Sequence, residues 1–213
     1  MVLRMMRILL QGLVFALGLA GVSAAIAAGN ADRGKALFQV CAKCHGQNGE
    51  GNATLSVPVN AGQDEWYVVR QLRNFRSGIR GVDPKDIFGM QMRPVAMALA
   101  DAQAVQDVAA YVTSLSVPKP PTTIVGDVEA GRQAYVPCAP CHGEEAEGSR
   151  SLDAPKLANQ YDWYIVRQLQ SFRTGIRGLH TKDIYGNPMK PMAQMLPTDE
   201  QVNDLTAYIT SLN

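Results

Sequence analysis

Apolar residues recur at helical spacing in two stretches of the chain that match each other. Residues 65–77 set Val68, Val69, Leu72 and Phe75 on one face of period 3.6, ahead of Gly78, where a helix stop belongs. Residues 162–174 repeat the arrangement ahead of Gly175. The last segment is the clearest. Thr198 with Gln201 makes a capping box, and Val202, Leu205, Ile209 and Leu212 follow on one face. Shorter helices are expected over residues 32–40 and 129–136, each running into a cysteine motif. Beyond the N-terminus no run sustains strand alternation, so the expected fold is all-α. Between the second and third helices of each half lies a long segment bearing Gly, Pro and Met. Loops of that length usually wrap something or carry function.

The N-terminus reads differently. Arg4 and Arg7 precede an almost wholly apolar run over residues 8–20, followed by small residues and Ala25-Ile26-Ala27. This is the order of a secretory signal peptide, with residues 1–27 removed after Ala27. An uncleaved anchor is the alternative, since residues 8–28 are long enough to span a bilayer.

The halves are copies. Cys41-Ala42-Lys43-Cys44-His45-Gly46 aligns with Cys138-Ala139-Pro140-Cys141-His142-Gly143, and the offset of 97 then runs without a gap to Leu115 and Leu212. Over those 75 positions 38 are identical. Two copies of this length are too few for a solenoid and read as two similar domains, over residues 28–116 and 127–213. Residues 117–126 join them, with Pro118, Pro120 and Pro121 favouring an extended, semi-rigid linker.

Composition narrows the function. Of 213 residues 46% are apolar and 18% charged, with 20 Lys and Arg against 19 Asp and Glu. Without the leader the balance is 18 against 19, a net −1. That argues against a nucleic-acid binder, which shows a basic excess. It also argues against strong long-range steering, so only modest ionic-strength dependence is expected in encounters with partners.

Four cysteines and three histidines are scarce enough for their positions to matter. The cysteines of an exported chain could form two disulfides, and two C-x-x-C pairs could hold one zinc. Neither accounts for the His that follows each pair, whose chance occurrence at both is on the order of 10⁻⁴. C-x-x-C-H is the attachment signature of a c-type haem, in which two thiols add across two vinyl groups and the adjacent His reaches iron. On this reading Cys41, Cys44, Cys138 and Cys141 hold two covalently bound haem c groups, and His45 and His142 are axial ligands.

For the other axial position Met is the first choice. Of Met90, Met92, Met97, Met189, Met192 and Met195, only Met92 and Met189 occupy matching positions, in Met92-Arg93-Pro94 and Met189-Lys190-Pro191. The rest read as core filling. His180 has no His partner in the first copy and reads as a surface residue, with bis-His ligation the alternative. Pro58 and Pro155 each lie 13 residues after the ligand His and offer only a carbonyl, which an imidazole N–H could use; a plain turn is the other reading. The paired arginines Arg70/Arg167, Arg76/Arg173 and Arg80/Arg177 would suit haem propionates or solvated helix faces. Trp66/Trp163 and Tyr67/Tyr164 read as core or haem-wall aromatics.

Taken together, the gapless tandem of C-x-x-C-H motifs, each with Gln-Leu-x-x-Phe, Gly-x-Arg, Met-x-Pro and a closing Ala-Tyr-x-Thr-Ser-Leu segment, resembles the dihaem cytochrome c4 family over the whole exported chain. The resemblance implies two class I cytochrome c domains about a pseudo-twofold axis. It also implies a periplasmic carrier taking electrons from a quinol-oxidising bc complex to a terminal oxidase, with Met92 and Met189 as ligands. The first copy departs from the family in reading Met92-Arg93-Pro94-Val95, without the second Met of the stretch. Peripheral association with the membrane is compatible with this expectation. Two other classes compete: a haem subunit of a flavocytochrome-type dehydrogenase, and a dihaem peroxidase with an open iron. The second is disfavoured by a matched Met in both copies.

Overall fold

A computed structural model describes residues 28–212, so the expected leader lies outside the described residues. Among the described residues the regular elements are helices: α1 (Ala31–His45), α2 (Glu65–Ser77), α3 (Ile87–Met97) and α4 (Ala102–Ser114) build the first domain. α5 (Val128–Tyr135), α6 (Ala139–His142), α7 (Asp162–Thr174), α8 (Met189–Gln194) and α9 (Asp199–Ser211) build the second. The left-handed Gly78 and Gly175 stop α2 and α7, and the Thr198–Gln201 capping box opens α9.

The copies differ where proline intervenes. α1 runs unbroken through its Cys motif, whereas the second copy splits into α5 and α6. Val40 and Lys43 are replaced there by Pro137 and Pro140, which lack an N–H and clash with the preceding turn. The long segments read above as loops each hold a helix. In the first copy Asp86 caps it by accepting from Gly89 N at 2.9 Å, and α3 starts at once. In the second, Pro188 disfavours helix at Asn187, and α8 starts only at Met189.

Each domain has its own core. Phe38, Val69, Leu99, Val105, Val108 and Val112 fill the first; Tyr135, Ile165, Leu196, Val202, Leu205 and Ile209 fill the second. The terminal helices of each copy cross, α1 on α4 and α5 on α9. Glycine permits it: a Cβ at Gly34 would lie 1.9 Å from Asp107 O, and one at Gly131 1.9 Å from Asp204 O.

The interface between the domains exchanges matched residues, the mark of a pseudo-twofold. Gln63 Nε2 donates to Lys156 O at 3.1 Å, and its counterpart Gln160 Nε2 donates to Val59 O at 2.8 Å. Arg70 Nη2 donates to Asp153 O at 2.8 Å, and its counterpart Arg167 Nη2 to Ser56 O at 3.0 Å. The guanidiniums stack on Tyr185 (4.5 Å) and Phe88 (3.9 Å), again matched positions. The connector is held on the second domain, where the fully buried Asp162 accepts from Ile124 N at 2.6 Å and from Thr123 N.

Candidate haem sites

His45 ends α1 and His142 ends α6, both buried. After each, the chain turns back through a small antiparallel bridge, Asn52 with Val57 and Ser149 with Ala154, and delivers a proline carbonyl to the ring. Nδ1 lies 3.0 Å from Pro58 O in one copy and 2.9 Å from Pro155 O in the other. A carbonyl only accepts, so Nδ1 must carry the proton and Nε2 the lone pair. Burial pushes both imidazoles below their ordinary value, against the raising influence of the proline carbonyl. A neutral ring with a fixed tautomer is the form that ligates a metal.

The four thiols are free. Cys41 and Cys138 are half-buried; Cys44 and Cys141 are exposed. Burial pushes the Cys41 and Cys138 thiols up to about 11. The two pairs lie in separate domains, and among the described residues no three His, Cys, Asp or Glu gather as a metal cluster.

The surroundings fit a porphyrin with carboxylate side arms. Leu55/Leu152, Val82/Leu179 and Ile87/Ile184 are matched apolar pairs, each more than half exposed. Arg80 and Arg177 are buried, each stacked on a phenylalanine, Phe75 at 4.5 Å and Phe172 at 4.4 Å. Arg80 Nη1 donates to Gln71 Oε1 at 2.6 Å, and Arg177 Nη2 reaches the same oxygen from the other domain at 3.4 Å. Burial, and then the neighbouring Arg177, push Arg80 below its ordinary value. Both Nε atoms are buried without a partner, as is Trp163 Nε1. Two buried cations side by side, with no carboxylate at ion-pair distance among the described residues, call for an anion between them.

Met92 lies in α3 and Met189 opens α8, both half-buried. Met192 is also half-buried, while Met90, Met97 and Met195 are exposed, so the core-filling expectation for those three is corrected. His180 is exposed, its Nδ1 accepting from Lys182 N at 3.1 Å. The arginine pairs separate by role. Arg70 and Arg167 clasp the domains. Arg76 donates to Leu99 O, and Arg173 Nη1 to Leu196 O at 3.0 Å, pinning the turn after α3 and α8. Of these six arginines only Arg80 and Arg177 are buried, with Gln71 and Gln168 as partners that the sequence reading missed. Their recurrence in the repeat was the available signal.

The Cytochrome c family model matches residues 31–116 and again 128–213. Cytochrome c4 of Azotobacter vinelandii is 31% identical over 94% of this chain and 97% of its own length. The thiosulfate dehydrogenase electron acceptor of Stutzerimonas stutzeri strain A1501 is 30% identical over 81% of this chain and 78% of its own. Among solved structures, reduced recombinant cytochrome c4 from Pseudomonas stutzeri superposes with a TM-score of 0.68 at 27% identity, over 87% of this chain and all of that one.

Proposed function

The chain belongs to the cytochrome c family as a two-domain protein of the cytochrome c4 type with two covalent haem c groups, and from that premise we propose that it carries electrons between respiratory membrane complexes in the periplasm. The donor is a quinol-oxidising bc complex and the acceptor a terminal oxidase. Haem iron, when bound, supplies one-electron exchange.

The chain's own residues do the rest. Cys41 and Cys44, with Cys138 and Cys141, give the sulfurs of the thioether links. His45 and Met92 in residues 28–116, and His142 and Met189 in residues 127–213, would hold the two irons. Pro58 and Pro155 hold the imidazoles in one tautomer, which keeps the ligand nitrogens basic. Arg80 and Arg177 receive the propionates. The linker over residues 117–126 and the arginine clasp hold the two centres at a constant separation. With a His and a Met from the chain holding each iron, none of its coordination would be left for substrate, so the role would be transfer rather than catalysis. Residues 1–27 direct export and are removed after Ala27.

The observation that carries this reading is the duplicated bond from a buried His, beside paired thiols, to a proline carbonyl. A potentiometric titration with visible spectra of the purified protein tests it. Two low-spin, six-coordinate haems per chain, with no peroxide turnover, are expected. One haem per chain, or a five-coordinate high-spin resting spectrum, refutes it. The thiosulfate dehydrogenase electron acceptor among the relatives shows which result would favour service to a dehydrogenase instead: stable co-purification with one.

A further inference from the structure

The net charge hides an uneven division. Residues 28–116 carry nine Lys and Arg against eight Asp and Glu, +1; residues 127–213 carry eight against eleven, −3. On the first domain an open groove of about 420 Å³ is lined by Arg73, Arg76, Ser77 and Met97, from α2 and the end of α3.

The second copy shows what such a groove accepts. There Asp199 sits on Arg173, and Gln170 Nε2 donates to the same carboxylate at 3.3 Å. The Arg173 hydrogen bond holds the Asp199 carboxyl below its ordinary value. At offset 97, Arg173 corresponds to Arg76, Gln170 to Arg73, Gln194 to Met97, and Asp199 to Ala102. The first domain therefore has an extra cation and lacks the acid. Asp101 does not replace it, because its Oδ1 caps α4 by accepting from Ala104 N at 2.8 Å. Arg73 and Arg76 make no ion pair among the described residues. Arg76 Nη1 is spent on backbone carbonyls, Ala96 O at 3.2 Å and Leu99 O, so its guanidinium is held in place while its charge stays uncompensated. The exposed Met97 adds an adaptable apolar wall, as transient redox interfaces do.

We propose that this groove is a docking point for an acidic protein surface on a redox partner, a partner carboxylate taking on Arg73 and Arg76 the place that Asp199 takes on Arg173. The groove orients the encounter through the first domain, and it adds a local attraction that the net charge does not report. The proposal rests on the carrier reading, but its test does not pass through electron transfer.

The test uses the full-length holoprotein, reduced and diamagnetic, titrated with a hexaglutamate peptide at low ionic strength and followed by NMR at the Arg73 side chain and Met97 methyl. Shifts are expected at those groups. Arg73→Gln, which installs the second copy's residue, and Ala102→Asp, which supplies the missing acid in cis, should each weaken binding by about three- to fivefold, the upper range of an exposed ion pair. Lys35→Gln, which removes an exposed charge elsewhere on the same domain, should change it little. Equal weakening by Lys35→Gln, no effect of the other two variants, or shifts confined elsewhere would overturn the groove. Citrate binding as tightly as the peptide would overturn the protein partner in favour of a small-anion site. Unchanged visible spectra and potentials in the variants separate any of these failures from a failure of the carrier reading.

Discussion

Replacing Arg70 by methionine should loosen the two domains from each other without unfolding either. The Arg70 side chain is 13% exposed, and its guanidinium donates to Asp153 O at 2.8 Å from across the interface. It also lies 3.4 Å from the Asp153 carboxylate, and 4.7 and 4.5 Å from the ring centroids of Trp66 and Tyr185. A charge-assisted hydrogen bond at such a site is worth about 1.5–3 kcal/mol. The aromatic contact across the interface adds about 0.5–1 kcal/mol. Asp153 keeps a counterion in Arg150, so no carboxylate is stranded. Contributions within one cluster overlap, and the net loss of domain coupling is about 2–3 kcal/mol, a factor of roughly 30–150. Arg167→Met loses the bond to Ser56 O and the Phe88 face but no ion pair, so about 1–2 kcal/mol is expected there. Since the cores are separate, the interface is what makes unfolding cooperative. Urea unfolding followed by far-ultraviolet circular dichroism should give one transition for the wild type. The double variant should give two, each with a smaller slope. A single unshifted transition would refute the reasoning. So would shifted haem potentials with unchanged cooperativity, which would return these arginines to the haem carboxylates.

Gly34→Ala and Gly131→Ala should each destabilise their domain by about 1–3 kcal/mol or more, because the new methyl meets helix backbone at 1.9 Å; unchanged thermal midpoints would contradict this. Asp107 gives a pH signature. Desolvation raises its pKa, but bonds from Asn30 N, Gln103 and Arg33 outweigh that and hold the carboxyl below its ordinary 3.8. The stability it supplies is therefore complete above pH 3.8 and is lost as pH falls through the lower folded value. Asp107→Asn should cost about 1–3 kcal/mol at neutral pH, with the gap to wild type closing below about pH 4; a gap constant with pH in urea midpoints would count against it. Met92→His and Met189→His should each lower one haem potential while keeping six-coordinate spectra, and each should remove part of the near-infrared sulfur-to-iron band. Loss of that band on changing Met90 or Met195 instead would shift the ligand assignment.

Everything that depends on near neighbours in the chain could be read from the sequence. The duplication, the helix stops at Gly78 and Gly175, the capping box at Thr198 and the Cys-x-x-Cys-His motifs are all local, because glycine's left-handed backbone, a cap's reach and the span between vinyl groups are set within a few residues. The helix in each Met-bearing segment was not visible. Neither Ile87–Met97 nor Met189–Gln194 shows a clean apolar face, and Pro94 and Pro191 argue against helix unless the packing of α2 supplies the driving force. The arginines show the limit most sharply. Arg70, Arg76 and Arg80 are identical in chemistry and recur equally in the repeat, yet one clasps the other domain, one pins a turn and one lies buried beside its own counterpart. A guanidinium's role is set by which acceptor stands within about 3 Å of it. That acceptor comes from 20 or more residues away for Arg76 and from the other domain for Arg70. Only the folding of the two copies onto one another decides it.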